Sequence, residues 1–206
     1  MELVIMRHGA TPGNVRRQYV GALDHPLSEE GRAQALAAGI HPEIGRVFVT
    51  SLRRSHETAA ICFPQAEQIQ IEGLQEMNFG VFAGRTADEM VDDADYRAWV
   101  DGMCEGRCPG GESRDEFTER ICTAMTGLVH SLLDEGARRE IVVAHGGTLM
   151  ASMSAFAIDH AERSYFEWHV GNCEGYRVDV HLDDSGAPVF DNCRHFADLS
   201  FLDGSC

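Results

Sequence analysis

Hydrophobic residues fall along this chain in two patterns: short unbroken runs, and longer stretches where they recur every three or four positions. Leu3-Val4-Ile5-Met6 is the first solid run, the pattern of a strand covered on both faces. Arg46-Val47-Phe48-Val49-Thr50 and Glu140-Ile141-Val142-Val143-Ala144 repeat it, and a further short strand over residues 68–71 follows Pro64. Between them, Ser28 has the character of an N-cap, with Glu29 and Glu30 in the first turn and Ala33, Leu36 and Ala37 at helical spacing; Gly39 and Pro42 stop that helix. A second helix starts at Ser51-Leu52-Arg53-Arg54 and runs through Ile61. Two capping boxes follow, Thr86-x-x-Glu89 and Ser113-x-x-Glu116, and the second opens an amphipathic helix with Phe117, Ile121, Ala124, Leu128 and Leu132 on one stripe. Residues 148–156 predict a helix after the fourth buried run. Tyr176, Val178, Val180 and Leu182 alternate with Arg177, Asp179 and His181, a strand with one polar face, and Asp183-Asp184-Ser185-Gly186 turns it back through residues 188–190. This order predicts an α/β fold, a three-layer α/β/α sandwich on a mostly parallel sheet. A helical insert falls near residues 85–135, and residues 1–206 form a single domain without repeats or linkers.

Composition narrows what such a fold can bind. The 206 residues carry 33 Asp and Glu against 17 Lys and Arg, a net charge of −16. That excess disfavours nucleic acid and anionic membranes as partners, since both require a basic face. The opening apolar run is too short for a signal-peptide core and no stretch approaches a membrane span, so a cytoplasmic location is expected. Seven cysteines (62, 104, 108, 122, 173, 193 and 206) are odd in number and scattered, as free thiols in a reducing compartment are. Cys104 and Cys108 form the only close pair and lack zinc-finger neighbours. No cofactor and no metal site is expected.

Chemistry gathers where the buried runs end. Arg7-His8-Gly9, Arg53-Arg54 and His145-Gly146-Gly147 each follow one of them. In open α/β sheets ligands bind beyond the carboxyl ends of the strands, so these side chains are expected in one crevice. Helix starts after Ser51 and Gly147 would add backbone N–H groups, and the turn glycines after Arg7 would let a ligand approach the backbone. Such a pocket favours a compact anion, most simply phosphate.

Four segments in order resemble the histidine phosphatase superfamily, with its phosphoglycerate-mutase-like fold, and specifically its small phosphatase branch. They are Arg7-His8-Gly9-x-Thr11 with Asn14; Thr50-Ser51-Leu52-Arg53-Arg54-Ser55-x-x-Thr58-Ala59; Leu74-x-Glu76-x-x-Phe79-Gly80-x-Phe82-x-Gly84; and His145-Gly146-Gly147. The resemblance implies a metal-independent phosphomonoesterase acting on a small phosphorylated metabolite through a phosphohistidine on His8. It puts Arg54, rather than Arg53, at the phosphate-binding position, and Glu76, rather than Glu67 or Glu72, in the role of the acid. Arg7, His145 and Asn14 would donate to the phosphoryl oxygens. Thr11, Gly21 and Gly146 would line the substrate cleft.

Physical chemistry supports each role. A neutral imidazole is a usable nucleophile near pH 7, provided its other nitrogen is held, here by a backbone carbonyl. Arginine forks match two phosphate oxygens and stay charged, and His145 helps most as an imidazolium. One carboxyl of raised pKa can protonate the leaving alkoxide and then activate water.

The resemblance also implies alternatives: a mutase that returns the phosphoryl group to a substrate, or a non-catalytic module that senses phosphorylated ligands. The Glu76 segment, Pro109-Gly110-Gly111-Glu112-Ser113 and Gly171-Asn172-Cys173-Glu174-Gly175-Tyr176 are similar to α-ribazole phosphatases, which would make α-ribazole 5′-phosphate the substrate. For Pro109–Ser113 the other reading is a plain turn followed by the Ser113 cap. Ala10, Ser55 and Phe82-Ala83 depart from the family's usual residues and leave the four charged positions intact. Tyr96, Arg97 and Trp99 could line the leaving-group side, with packing as the alternative. His169 and the other remaining histidines are expected to have no catalytic role. Monomer and homodimer are both open.

Overall fold

The computed structural model describes residues 1–203, so Cys206 lies outside the described residues. Six strands form one sheet in the order β3-β2-β4-β1-β5-β6. They are β1 (Glu2–Arg7), β2 (Arg46–Val49), β3 (Glu67–Gln70), β4 (Arg139–Ala144), β5 (Gly175–Leu182) and β6 (Pro188–Phe196). The pairs β1–β4, β2–β4 and β2–β3 are parallel; β5 is antiparallel to both β1 and β6. The sheet is therefore mostly parallel, with β5 alone reversed.

Why the central runs are apolar without interruption is visible in the packing. Leu3 and Ile5 of β1 join Phe48, Val142 and Ala144 in one core, while Val4 and Met6 join Val47, Val49, Ile141 and Val143 in the other. Successive side chains of a strand point to opposite faces, and here both faces are covered. Helices α2 (Glu29–Ala38) and α3 (Arg53–Cys62) supply Ala35, Ala38, Ala59 and Cys62 to the second core. Helices α5 (Arg114–Asp134) and α6 (Gly146–Phe156) supply Phe117, Ile121, Leu128, Leu132, Leu149 and Met153 to the first. Ala124, expected on the α5 stripe, is only partly buried; Met125 and Val129 fill the stripe instead.

Several boundaries differ from the sequence pattern. The Thr86–Glu89 capping box forms, but it opens only a 3-10 turn, Asp88–Met90. The following α4 (Ala94–Asp101) is capped by Asp93. The Ser113–Glu116 box caps α5 as expected. Residues 12–15, read as a turn, form the short helix α1 (Pro12–Val15), capped by Thr11. The return strand β6 extends to Phe196, well past residue 190. Helix α6 begins at Gly146, which makes His145 its N-cap.

Among the described residues no helix is long and apolar enough to cross a membrane, and the six described cysteines are free.

Candidate active site

The parallel register of β1 and β4 pairs Arg7 with Ala144, so the residues one step further, His8 and His145, emerge side by side. Their ring centroids lie 5.1 Å apart. The Arg54 side chain, from the first turn of α3, enters between them and is 1% exposed. Its Nε–H donates to His8 Nε2 (3.1 Å) and His145 Nδ1 (3.2 Å). Both nitrogens must then carry lone pairs, and the tautomers follow. His8 bears its proton on Nδ1, which donates to the carbonyl of Gly9 at 2.6 Å. His145 bears its proton on Nε2, which donates to the Thr50 hydroxyl at 2.8 Å. Burial first, and then Arg54, hold both imidazoles well below the ordinary histidine range. His145 is thus a neutral acceptor in this arrangement; the imidazolium expected from sequence is the form that a phosphate dianion beside it would favour.

Arg54 is itself positioned from the other side. Its Nη1 and Nη2 donate to the carbonyls of Leu23 and Gly21, both at 2.7 Å. Burial lowers its pKa to about 10, which leaves it charged at neutral pH. Arg53 points away, exposed, and pairs with Glu57. Arg7 donates through Nη1 to the carbonyl of Val170 (2.7 Å), with His169 Nε2 3.4 Å away, and its buried Nε has no partner among the described residues.

Glu76 follows a 3-10 turn, Glu72–Leu74, after β3. Its Oε2 accepts the backbone N–H of Gly147 at 3.0 Å, and its Oε1 accepts that of Met77 at 2.9 Å. Glu67 and Glu72 are exposed and do not line the cavity. Of the two helix starts expected to face a ligand, neither does so simply. The first amide of α3, on Arg53, donates to Asp24, and the Gly147 amide of α6 is taken by Glu76. The turn glycines likewise serve packing: a methyl on Gly9 would strike the backbone carbonyl of Gly31 in α2.

Arg7, His8, Arg54, Glu76, Asn14, Gly21 and Gly146 all line one cavity of about 640 Å³. His145 lies behind it, fully buried. Thr11 does not line it either. Its hydroxyl and backbone N–H both donate to Asn14 Oδ1 at 3.0 Å, so Thr11 orients Asn14 rather than meeting substrate.

Two groups were missed by sequence reasoning. Arg120 on α5 donates to the carbonyls of Gly73 (3.0 Å), Gln75 (3.1 Å) and Glu76 (3.5 Å), while Glu112 accepts from its Nε and Nη2 at 2.8 and 2.9 Å. Glu112 also accepts the Asn78 N–H at 2.8 Å. The Pro109–Ser113 segment therefore braces the loop that carries Glu76, and its acidic residue was the available signal. The second group lines the outer cavity: Gln18, Tyr19, Cys104, Arg114, Tyr165, Phe166 and His169, together with Phe79 of the third motif and Trp99, for which the sequence left lining and packing both open. Tyr96 instead packs beneath, its hydroxyl 2.8 Å from that of Tyr19, and Arg97 is exposed. Among the described residues no three His, Cys, Asp or Glu side chains are grouped to hold a metal ion.

A doubly covered, mostly parallel sheet with two histidines and two arginines at its carboxyl edge defines a recognisable class. The chain belongs to the histidine phosphatase superfamily (branch 1), whose sequence profile matches residues 3–188. Among its relatives, a probable phosphoglycerate mutase GpmB of Salmonella paratyphi B is 30% identical over 190 residues, covering 87% of this chain and 85% of that protein. The α-ribazole phosphatase of Shigella flexneri shares the fold with a TM-score of 0.80 at 21% identity, covering 97% of this chain and 98% of that one. A mycobacterial glucosyl-3-phosphoglycerate phosphatase, solved with vanadate, superposes with a TM-score of 0.77 at 26% identity, over 96% and 99% of the two chains.

Proposed function

We propose that this protein is a phosphomonoesterase that works through a phosphohistidine on His8. The observation that carries the reading is His8 at the cavity wall with its proton fixed on Nδ1 by the Gly9 carbonyl, so that Nε2 keeps the lone pair; that lone pair accepts from Arg54 Nε–H, a bond the incoming phosphoryl group must displace. Nε2 attacks phosphorus and the P–O ester bond breaks. The leaving oxygen takes the proton of the Glu76 carboxyl, whose oxygens are aimed by Gly147 and Met77. Water then attacks the phosphohistidine and gives its proton to Glu76, which restores the starting state and frees inorganic phosphate. Arg7, Arg54 and Asn14 donate to the phosphoryl oxygens, where fixed donors stabilise the growing charge. A phosphate dianion beside His145 Nδ1 favours its protonation and recruits it as a further donor. No step is routed through a metal.

Similarity to a probable phosphoglycerate mutase favours a second reading, in which the phosphohistidine returns its phosphoryl group to a phosphoglycerate. One experiment separates them: rapid-quench trapping of an acid-labile phosphoenzyme, followed by product analysis. Phosphoenzyme in the wild type, none in His8→Ala, and release of inorganic phosphate support the phosphatase. Interconversion of phosphoglycerates without phosphate release supports the mutase. Absence of both phosphoenzyme and phosphate release supports a ligand-binding module, and phosphate release without a phosphoenzyme overturns the His8 intermediate.

For the substrate we propose α-ribazole 5′-phosphate as the first ester to assay. The segments that suggested it are partly scaffold: Asn172 Nδ2 donates to the His8 carbonyl and Cys173 N–H to that of Arg7. Selectivity must therefore reside in the outer cavity. A flat kcat/KM across phosphomonoesters would remove this substrate.

A further inference from the structure

The cavity extends well beyond the phosphoryl position, and its volume of about 640 Å³ is in the range that encloses a ligand much larger than phosphate. Its outer wall is aromatic. Tyr19 meets Phe79 and Trp99 edge-to-face at centroid distances of 5.3 and 5.7 Å, and Tyr165 and Phe166 form a separate pair at 5.3 Å. All five line the cavity. Phe166 is 45% exposed at this wall and packs edge-on against Tyr165.

Among the described residues, the same wall offers no free cation for a second anionic group. Arg114, which with Arg7 and Arg54 makes up the arginines lining the cavity among the described residues, is ion-paired with Glu105 and donates to the Met103 carbonyl at 3.2 Å. Its guanidinium lies 5.2 Å from the Tyr165 ring and 6.0 Å from that of Phe166, so its face is occupied as well. His169 is held below the ordinary histidine value, by burial first and then by Arg7.

We propose that the outer cavity is a leaving-group subsite for an uncharged, ring-bearing alcohol, with Tyr19, Phe79, Trp99, Tyr165 and Phe166 as its specificity-determining residues, and that it disfavours esters bearing a second phosphate or carboxylate. The inference rests on the phosphomonoesterase reading for where the phosphoryl group sits. Aromatic faces gain from covering a ring, and burying one phenyl group corresponds to a tenfold or greater gain in affinity. A carboxylate placed there loses water and meets no unpaired positive charge.

Calorimetric titration with three non-hydrolysable phosphonates tests this without turnover. Phenylpropyl phosphonate is expected to bind about tenfold more tightly than propyl phosphonate, with carboxyethyl phosphonate no tighter than propyl. Because its ring is partly exposed, Phe166→Ala leaves the core packed, and it is expected to reduce the phenyl advantage to about threefold. Equal affinity for the phenyl and propyl compounds, or tightest binding of the carboxylate, overturns the subsite. A flat result alongside a trapped phosphohistidine overturns the subsite alone. A retained phenyl preference with no phosphoenzyme and no phosphate release supports the subsite and overturns the phosphatase reading.

Discussion

Gly147 and Glu76 meet so closely that a methyl group on Gly147 would occupy the position of Glu76 Oε1. The same glycine donates its N–H to Oε2, so the backbone at the start of α6 both admits and orients the carboxyl group. Gly147→Ala is therefore expected to evict Glu76 while leaving His8 and Arg54 in place. Loss of the general acid should cost alkyl phosphates about a hundredfold in kcat. p-Nitrophenyl phosphate, whose leaving group needs little protonation, should lose less than about tenfold. Glu76→Gln should reproduce the pattern. Steady-state kinetics on the two ester classes check it, and equal losses on both would remove Glu76 from acid duty.

Arg120 acts on that carboxyl at one remove, by gripping three backbone carbonyls ahead of and at Glu76. Arg120→Met should lower kcat on alkyl esters about tenfold, in line with partial loss of acid catalysis. KM should stay within about twofold, since the phosphoryl donors are untouched. Arg120→Lys should not rescue it, because a single ammonium cannot span the fork shared with Glu112. A matching rise in KM, or equal loss on p-nitrophenyl phosphate, would point to general unfolding of the loop.

The buried pair His8 and His145 ties stability to pH. Folded, both are held below the ordinary histidine pKa by burial and by Arg54; unfolded, they return to about 6.5. Above that value neither state is protonated there and stability is at its full value. As pH falls through 6.5 the unfolded chain takes up protons that the folded one refuses, and stability declines until the folded pKa is reached. Each histidine contributes up to about 1.4 kcal/mol per pH unit. Urea unfolding at a series of pH values should show this slope, and His8→Asn should remove about one histidine's share. The acid limb of kcat/KM should likewise fall below pH 6.5, because His8 remains unprotonated there.

The proposed chemistry runs through side chains alone. Dialysis against a chelator should leave kcat within about twofold, since no step draws on Lewis-acid assistance. Loss of activity that a divalent cation restores would contradict the proposal.

Much of the scaffold was legible because the sheet writes itself into the chain. Leu3 to Met6 and Ile141 to Ala144 are solidly apolar because each strand feeds two cores; Arg7-His8 and His145 stand where those strands end, and Arg54 where the helix after β2 begins. The Ser113 box announced α5 in the same local way. The Thr86 box gave an equal local signal and produced only a 3-10 turn, because Asp93 caps the helix that follows.

By itself, then, the sequence determined the strands, the covered sheet and the basic residues at its carboxyl edge, since these depend on periodicity and on neighbours a few positions away. Only the tertiary structure decided which atoms face one another. The Glu76–Gly147 bond, the Arg120 grip and the aromatic outer cavity join segments distant along the chain. Hydrogen bonds of this kind form or fail over a few tenths of an ångström, a distance set by how helices pack on the sheet and invisible to any local pattern.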